Sequence, residues 1–246
     1  EIARIQRSLL PHEMPTIPGL SLAASYETFD RAGGDYYDVL PLKRHGGIPD
    51  PDGPWAFIMA DASGHGPAAA VVMAMVHALF HSYAERPHSP AEFLEHINEN
   101  LQSHRVGYSF VTAFLAIYDP TTRKLSFANA GHPPPILMEP GQEFMNTDRF
   151  HDLGGIPLGI EKNVKYEVGE MTLKPGQSVV FYTDGIIEST GPGGEMFRVE
   201  GIEEALRPCN AKPDCVTLVV IDALKTHEAG MRSRDDQTLL AMHLEV

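Results

Sequence analysis

The amino-acid sequence predicts an α/β fold whose strands pair mainly antiparallel. Three observations carry this expectation. Strand-like apolar runs recur from residue 20 to the end, helical patterns come in two pairs, and strands flank each pair. With 246 residues, 43% hydrophobic and 21% charged, the chain can bury a substantial core. No internal repeat or low-complexity tract divides it, so a single domain is expected over residues 15–246.

Residues 1–11, EIARIQRSLLP, place Ile2, Ile5 and Leu9 at helical spacing and stop at Pro11. This helix lacks a start signal of its own. Residues 1–14 are therefore expected to be a linker or regulatory helix continuing from an upstream sensor domain, and its narrow apolar stripe could pair two copies as a homodimer. After the Pro-rich stretch 12–19, LSLAASYE and YYDVLPL read as strands, 43–54 as a Gly/Pro-rich loop, and WAFIMAD as an apolar strand. Residues 68–85 are Ala-rich and apolar on nearly every face, which suits a helix packed on a sheet. The next helix has a full start signal in Ser89, Pro90 and Glu92, with Phe93, Leu94, Ile97 and Leu101 on one face. SFVTAFLAIYD, the turn PTTRK and LSFANA form a hairpin pattern. PPILM and 171–184 continue the strands, the latter with PGQ as its turn. Residues 199–206 and 214–228 read as helices, and 238–246 as a closing strand.

The formal charge of −14 argues against a nucleic-acid-binding face, because the longest basic cluster is only Lys43-Arg44-His45. No run of ~18 apolar residues could insert in a membrane. Cys209 and Cys215, without CxxC spacing, are expected to be reduced thiols, and a cytoplasmic setting would follow.

The chemistry concentrates in four acidic clusters: AGGDYYD at 32–38, DASGHG at 61–66, TDGIIE at 183–188 and RDDQT at 234–238. Hard cations such as Mg²⁺ and Mn²⁺ take carboxylate and carbonyl oxygens. Small neighbours let the backbone turn so that a carbonyl also faces the ion. Ligands so far apart in sequence require the fold to assemble the site. No Cys or Ser stands out as a nucleophile.

The order GGDYYD, DASGHG, SFVTAFLAIYD, NAGHPPP, PLG, TDGIIE, DDQTLL closely resembles the metal-dependent Ser/Thr protein phosphatases of the PPM superfamily, in their bacterial SpoIIE/RsbU-like branch. The resemblance runs from about residue 8 to the C-terminus. It implies a β-sandwich of two antiparallel sheets flanked by helices, with two Mn²⁺ or Mg²⁺ ions at one end. It makes Asp61 the bridging ligand and turns the carbonyl of Ala62 toward one ion. Asp184 and Asp235 complete the direct ligands, and Asp35 is a nearby ligand. Asp61 and Asp35 are then the catalytic positions, and Asp236 an alternative to Asp235. The implied activity is hydrolysis of phosphoserine or phosphothreonine by a metal-activated water, on a phosphorylated anti-anti-sigma (STAS) protein in a partner-switching pathway. A catalytically silent binding module and a phosphatase of a small phosphorylated metabolite are the alternatives.

Other residues admit two readings. Asp38 and Glu188 either orient loops by hydrogen bonds or touch metal. His65 is either a structural hydrogen-bonding histidine or an acid for the leaving oxygen, and His132 is expected to be structural. The remaining histidines show no metal-ligand spacing. Arg31 either holds phosphate or is a surface residue. Two departures from the family pattern stand out: Ala62, where Val or Ile is common, and STGPGGEMFR, with Arg198 in place of a glycine.

Overall fold

The computed structural model describes residues 2–30, 32–84, 89–103, 109–139 and 148–246. In chain order its elements are α1 (Ile2–Arg7), β1 (Leu20–Glu27), β2 (Asp35–Pro41), β3 (Arg44–His45), β4 (Ile48–Pro49), β5 (Trp55–Ala62), α2 (Pro67–Tyr83) and α3 (Pro90–Ser103). There follow β6 (Val111–Asp119), β7 (Lys124–Ala130), β8 (Ile136–Met138), α4 (Asp148–His151), β9 (Gly169–Thr172), β10 (Ser178–Tyr182), α5 (Asp184–Ile187), α6 (Arg198–Leu206), α7 (Pro213–Glu228) and β11 (Gln237–Leu244).

Two antiparallel sheets pack face to face. One has the strand order β1-β11-β10-β8 and the other β2-β5-β6-β7-β9. Between them lie Phe57 and Phe114 of the five-stranded sheet, with ring centroids 6.4 and 5.9 Å from that of Phe181 in the other. The two-residue period of a strand sorts side chains between two cores. On β10, Val179 and Phe181 enter the core between the sheets, whereas Val180 and Tyr182 join a second core beneath α6 and α7. On β11, Leu240 and Met242 face the first core, and Leu239 and Ala241 the second. Helices α2 and α3 cover the five-stranded sheet and α7 the four-stranded one. Strands β5 and β6 are therefore buried on both faces, which explains their nearly unbroken apolar sequences.

Several expectations match the structure closely. The capping box of α3 is reciprocal: the Glu92 amide donates to Ser89 Oγ at 3.2 Å, and the Ser89 amide donates to Glu92 Oε2 at 3.0 Å. Phe93, Leu94, Ile97 and Leu101 are buried as one face. The PTTRK hairpin joins β6 to β7. The loop 43–54 is not without structure, for it contains the short β3–β4 hairpin.

Four differences have physical reasons. The first helix ends at Arg7 rather than at Pro11, and a turn buries Leu10 instead; the side chains of Ile2 and Ile5 lie outside the described residues. The PGQ turn does not close a hairpin. Strand β9 pairs with β7 and β10 with β11 and β8, so this turn hands the chain from one sheet to the other. TDGIIE contains the short helix α5, which its turn-like composition hides. Cys209 and Cys215 are not separate thiols but neighbours placed for a disulfide. The connection from α6 to α7 folds back on itself and brings their Cα atoms to 6.0 Å, within bridging range. No helix among the described residues is long and apolar enough to cross a membrane.

Arg198 occupies a backbone conformation suited to glycine, with φ at 59°. The loop before it nevertheless closes tightly, the Gly191 amide donating to the Glu195 carbonyl at 2.9 Å and the Phe197 amide to the Ser189 carbonyl at 2.8 Å. Strain in the left-handed region costs a non-glycine residue ~1–2 kcal/mol, of which glycine's larger chain entropy returns part. Arg198→Gly is therefore expected to stabilise the protein by about 0.5–1 kcal/mol. Equilibrium denaturation measures this, and a lowered midpoint would show that the arginine side chain contributes more than its backbone costs.

Candidate metal centre

Sheet register brings the acidic motifs to one edge of the sandwich. Strand β2 begins at Asp35 and β5 carries Asp61 next to its end, and antiparallel pairing sets these two residues directly opposite each other. From the other sheet, the chain leaves β10 through Thr183 into α5, which starts at Asp184, while Asp235 and Asp236 stand immediately before β11. Because β10 and β11 are neighbours in their sheet, the two motifs arrive together.

Threonines of one sheet hold the carboxylate of the other. Asp35 Oδ2 accepts hydrogen bonds from Thr183 Oγ1 at 2.7 Å and Thr238 Oγ1 at 2.5 Å. The Thr238 amide in turn donates to Thr183 Oγ1 at 3.1 Å. Asp236 acts as an anchor: its Oδ1 accepts from the Phe29 amide at 2.8 Å and its Oδ2 from the Gly34 amide at 2.5 Å. With both its oxygens engaged by the loop before Asp35, Asp236 is buried, whereas Asp235 is exposed. Gln237 reaches behind the centre to Glu228 Oε1 at 2.7 Å, an oxygen that also accepts from Ser189 Oγ at 2.6 Å.

Two glycines permit the convergence. A Cβ on Gly34 would sit 2.7 Å from the Ala62 carbonyl oxygen and 3.0 Å from Asp61 Oδ1. Both oxygens thus lie beside a backbone that only glycine leaves open. A Cβ on Gly185 would sit 1.9 Å from the Asp236 carbonyl oxygen, so TDG can pack against RDD only with glycine between them. The Ala62 side chain is fully buried and its amide donates to the Gly34 carbonyl at 3.0 Å, so the motif's shape here depends on backbone atoms.

Burial and mutual repulsion push the carboxyls up. Burial, Asp184, Asp235 and Asp236 push Asp61 up to about 7, and burial, Asp235 and Glu188 push Asp184 up to about 6. Asp35 is pushed well above the usual range by burial and then by Asp61. Among the described residues, no ion pair reaches Asp35, Asp61, Asp184 or Asp235. A set of partly buried oxygens without a protein cation fits hard divalent ions and suits neither a soft metal nor an organic cofactor.

The other candidates separate cleanly. His132 is buried, with Nδ1 2.8 Å from Thr112 Oγ1 and Nε2 3.1 Å from the Tyr182 carbonyl, and burial lowers it to about 3, so it is a neutral structural residue. His65 is exposed and sets its ring edge-on against Phe29, 5.7 Å between centroids. Glu188 is exposed near Asp184. Arg31 lies outside the described residues. Asp38 does make hydrogen bonds, but to helix α2 and its own strand rather than to a loop. Here the expectation for the remaining histidines needs correction. His77 and His81, one helical turn apart on α2, converge on Asp38. Thr183 and Thr238 were missed by sequence reasoning, although the threonine before DG and the one after DDQ were visible as motif neighbours.

The chain matches the family model described as Stage II sporulation protein E (SpoIIE) over residues 51–245. It is 27% identical over 250 residues to the phosphoserine phosphatase RsbU of Bacillus subtilis, covering 99% of this chain and 69% of that protein. The structure of the RsbU and RsbW domains of Rv1364c from Mycobacterium tuberculosis superposes with a TM-score of 0.76 at 27% identity, over 94% of this chain and 61% of that one. The SiaA-PP2C domain of Pseudomonas aeruginosa shares the fold with a TM-score of 0.79 at 21% identity, covering 99% and 94%.

A raised acid pKa in the folded state contributes stability at low pH that is lost as pH rises through the folded value. Asp61 is thus expected to weaken the ion-free protein progressively as pH rises from the ordinary carboxylate range to about 7, with no further loss above it. Asp61→Asn should raise the thermal midpoint of ion-free protein most at pH 8, by less at pH 5, and hardly at all below the ordinary carboxylate range, where folded and unfolded wild type are both protonated. A midpoint that falls at pH 8 would show that the carboxylate is held by attraction rather than crowded by repulsion.

Proposed function

Because the chain belongs to the SpoIIE family, we propose that it is a metal-dependent phosphatase of phosphoserine or phosphothreonine in proteins, acting through Asp35, Asp61, Ala62, Asp184 and Asp235. The observation that carries this reading is the convergence of carboxylates from both sheets at a site that no ion pair reaches among the described residues. Two bound Mn²⁺ or Mg²⁺ ions would supply phosphoryl charge neutralisation and a water of lowered pKa. The chain's own residues do the rest. Asp61 projects from the end of β5 where it could face both ions, and the Ala62 carbonyl stands beside it at Gly34. Asp184 comes from the start of α5 and Asp235 from the exposed side of the RDD motif. Asp236, fully engaged by backbone amides, positions the loop of Asp35 instead of coordinating. Thr183 and Thr238 keep Asp35 oriented, and His132 braces the strands from beneath.

The proposed substrate is a phosphorylated STAS-type regulator in a bacterial partner-switching pathway, in line with the similarity to the phosphoserine phosphatase RsbU. We also propose that residues 1–14 link this domain, residues 15–246, to an upstream sensor. Gln6 of α1 supports this: its side chain is buried, accepts from the Gly33 amide at 2.9 Å and donates to the Gly33 carbonyl. A displaced helix would thus disturb the loop that carries Asp35.

Turnover of a phosphorylated STAS protein is expected to need Mn²⁺ or Mg²⁺ and to exceed that of small phosphate esters. Asp61→Asn and Asp184→Asn should each lower it at least ~100-fold, a loss of about 2.7 kcal/mol of transition-state stabilisation. Full turnover after exhaustive chelation would refute the mechanism, and equal rates on small esters would refute the protein substrate. Gln6→Ala is expected to raise the Mn²⁺ concentration needed for half-maximal turnover without changing the plateau. An unchanged metal requirement would reduce α1 to a tether.

A further inference from the structure

Asp38 lies three residues after Asp35 on β2, so the pleat points the two side chains to opposite faces of the sheet. Asp35 faces Thr183 and Thr238 of the other sheet, whereas Asp38 faces α2. There His77 and His81, at i and i+4 of one helix, meet it. His81 Nε2 lies 2.7 Å and His77 Nδ1 3.8 Å from Asp38 Oδ2, and the two imidazole centroids are 4.1 Å apart. One ligand atom from each of the three residues falls within 4.8 Å of the other two.

We propose that Asp38, His77 and His81 form a second metal site that takes one Zn²⁺-class ion and fastens α2 to β2. Two imidazoles and one carboxylate suit a borderline transition metal rather than Mg²⁺. Two histidines one turn apart on a helix present their nitrogens to the same ion. Ligand atoms around tetrahedral Zn²⁺ stand about 3.3 Å apart, given metal–ligand bonds of about 2.0–2.1 Å. The 2.7 and 3.8 Å separations straddle that value, so modest side-chain rotations complete the geometry. Supporting bonds are already in place: Tyr36 Oη donates to Asp38 Oδ2 at 2.6 Å, and the Val39 amide donates to Oδ1 at 2.7 Å. Asp38 is buried, while His81 is 41% exposed at its side chain and lines a cavity of about 460 Å³ with Leu42, Lys43 and Arg44. That opening offers an entry path and room for a water as fourth ligand. An ion here fastens the strand that starts at Asp35 to the helix that follows the loop after Asp61.

The test is Zn²⁺ binding to the metal-depleted full chain in excess Mg²⁺, followed by competition with a chromophoric chelator and by the absorption of a Co²⁺ substitute. Wild type is expected to hold one equivalent of Zn²⁺ against excess Mg²⁺ and to give the intense Co²⁺ bands of a tetrahedral site. Tyr36→Phe should weaken binding roughly 10–100-fold, the range for a supporting residue, and His77→Gln or His81→Gln by more. Glutamine at position 81 keeps a donor for buried Asp38, and the ion-free unfolding midpoint of each variant is measured beside its Zn²⁺ affinity, so that a variant with an intact midpoint and lost binding separates the site from the fold. Zn²⁺ binding unchanged in the His77→Gln/His81→Gln double variant would overturn the proposal, as would Zn²⁺ that excess Mg²⁺ removes. None of these readouts depends on phosphatase turnover, so the site stands or falls apart from the proposed function.

Discussion

Asp35, Asp61, Asp184 and Asp235 are crowded at the one edge where two sheets meet, and that crowding is unfavourable by itself. Burial and repulsion push Asp61 up to about 7 and Asp184 to about 6. Neutral donors hold the arrangement together. Two threonine hydroxyls grip Asp35 across the sandwich, and two backbone amides grip Asp236. These bonds tie the sheets to each other where the carboxylates converge, so the packing of the sandwich and the shape of the centre rest on the same contacts. A divalent cation would turn this repulsion into attraction, and a metal-activated water would let the centre act at phosphorus without a side chain as nucleophile.

The scaffold behind the centre is rigid for ordinary reasons. Phenylalanines from both sheets fill the space between them, and each sheet is covered outside by helices. Strand ends project from that block as short, stiff supports. The glycines at 34 and 185 then let backbone meet carboxylate and carbonyl more closely than any side chain would allow. Precise placement thus comes from the absence of atoms at two positions as much as from their presence elsewhere.

Much of this was legible in the sequence because the informative features are local. Ser89 and Glu92 close a capping box within one turn, and the Asp-Gly motifs mark where strands end. What escaped depends on partners distant in the chain. The PGQ turn looks like a hairpin turn, yet which sheet each flanking strand joins is decided by the edges of β7 and β11. His77 and His81 sit in an apolar helical pattern, and the residue that gives their spacing meaning comes from β2. Thr183 and Thr238 are unremarkable until the register of two sheets aims both at Asp35. Cys209 and Cys215 come together through a turn that their separation alone does not specify.

Strand β11 lies between β1 and β10 at the centre of its sheet, although it is synthesised after every other described element. Until it emerges from the ribosome, β1 has no partner in that sheet and β10 is paired only with β8. The five-stranded sheet, by contrast, has all its strands by residue 172. A nascent chain can therefore assemble one half of the sandwich early, while the other half waits for the final segment. Because Asp235 and Thr238 travel with that segment, the growing polypeptide cannot gather the full carboxylate set prematurely. Order of synthesis thus acts as a timer, and the centre forms in the same closing step that makes the fold cooperative.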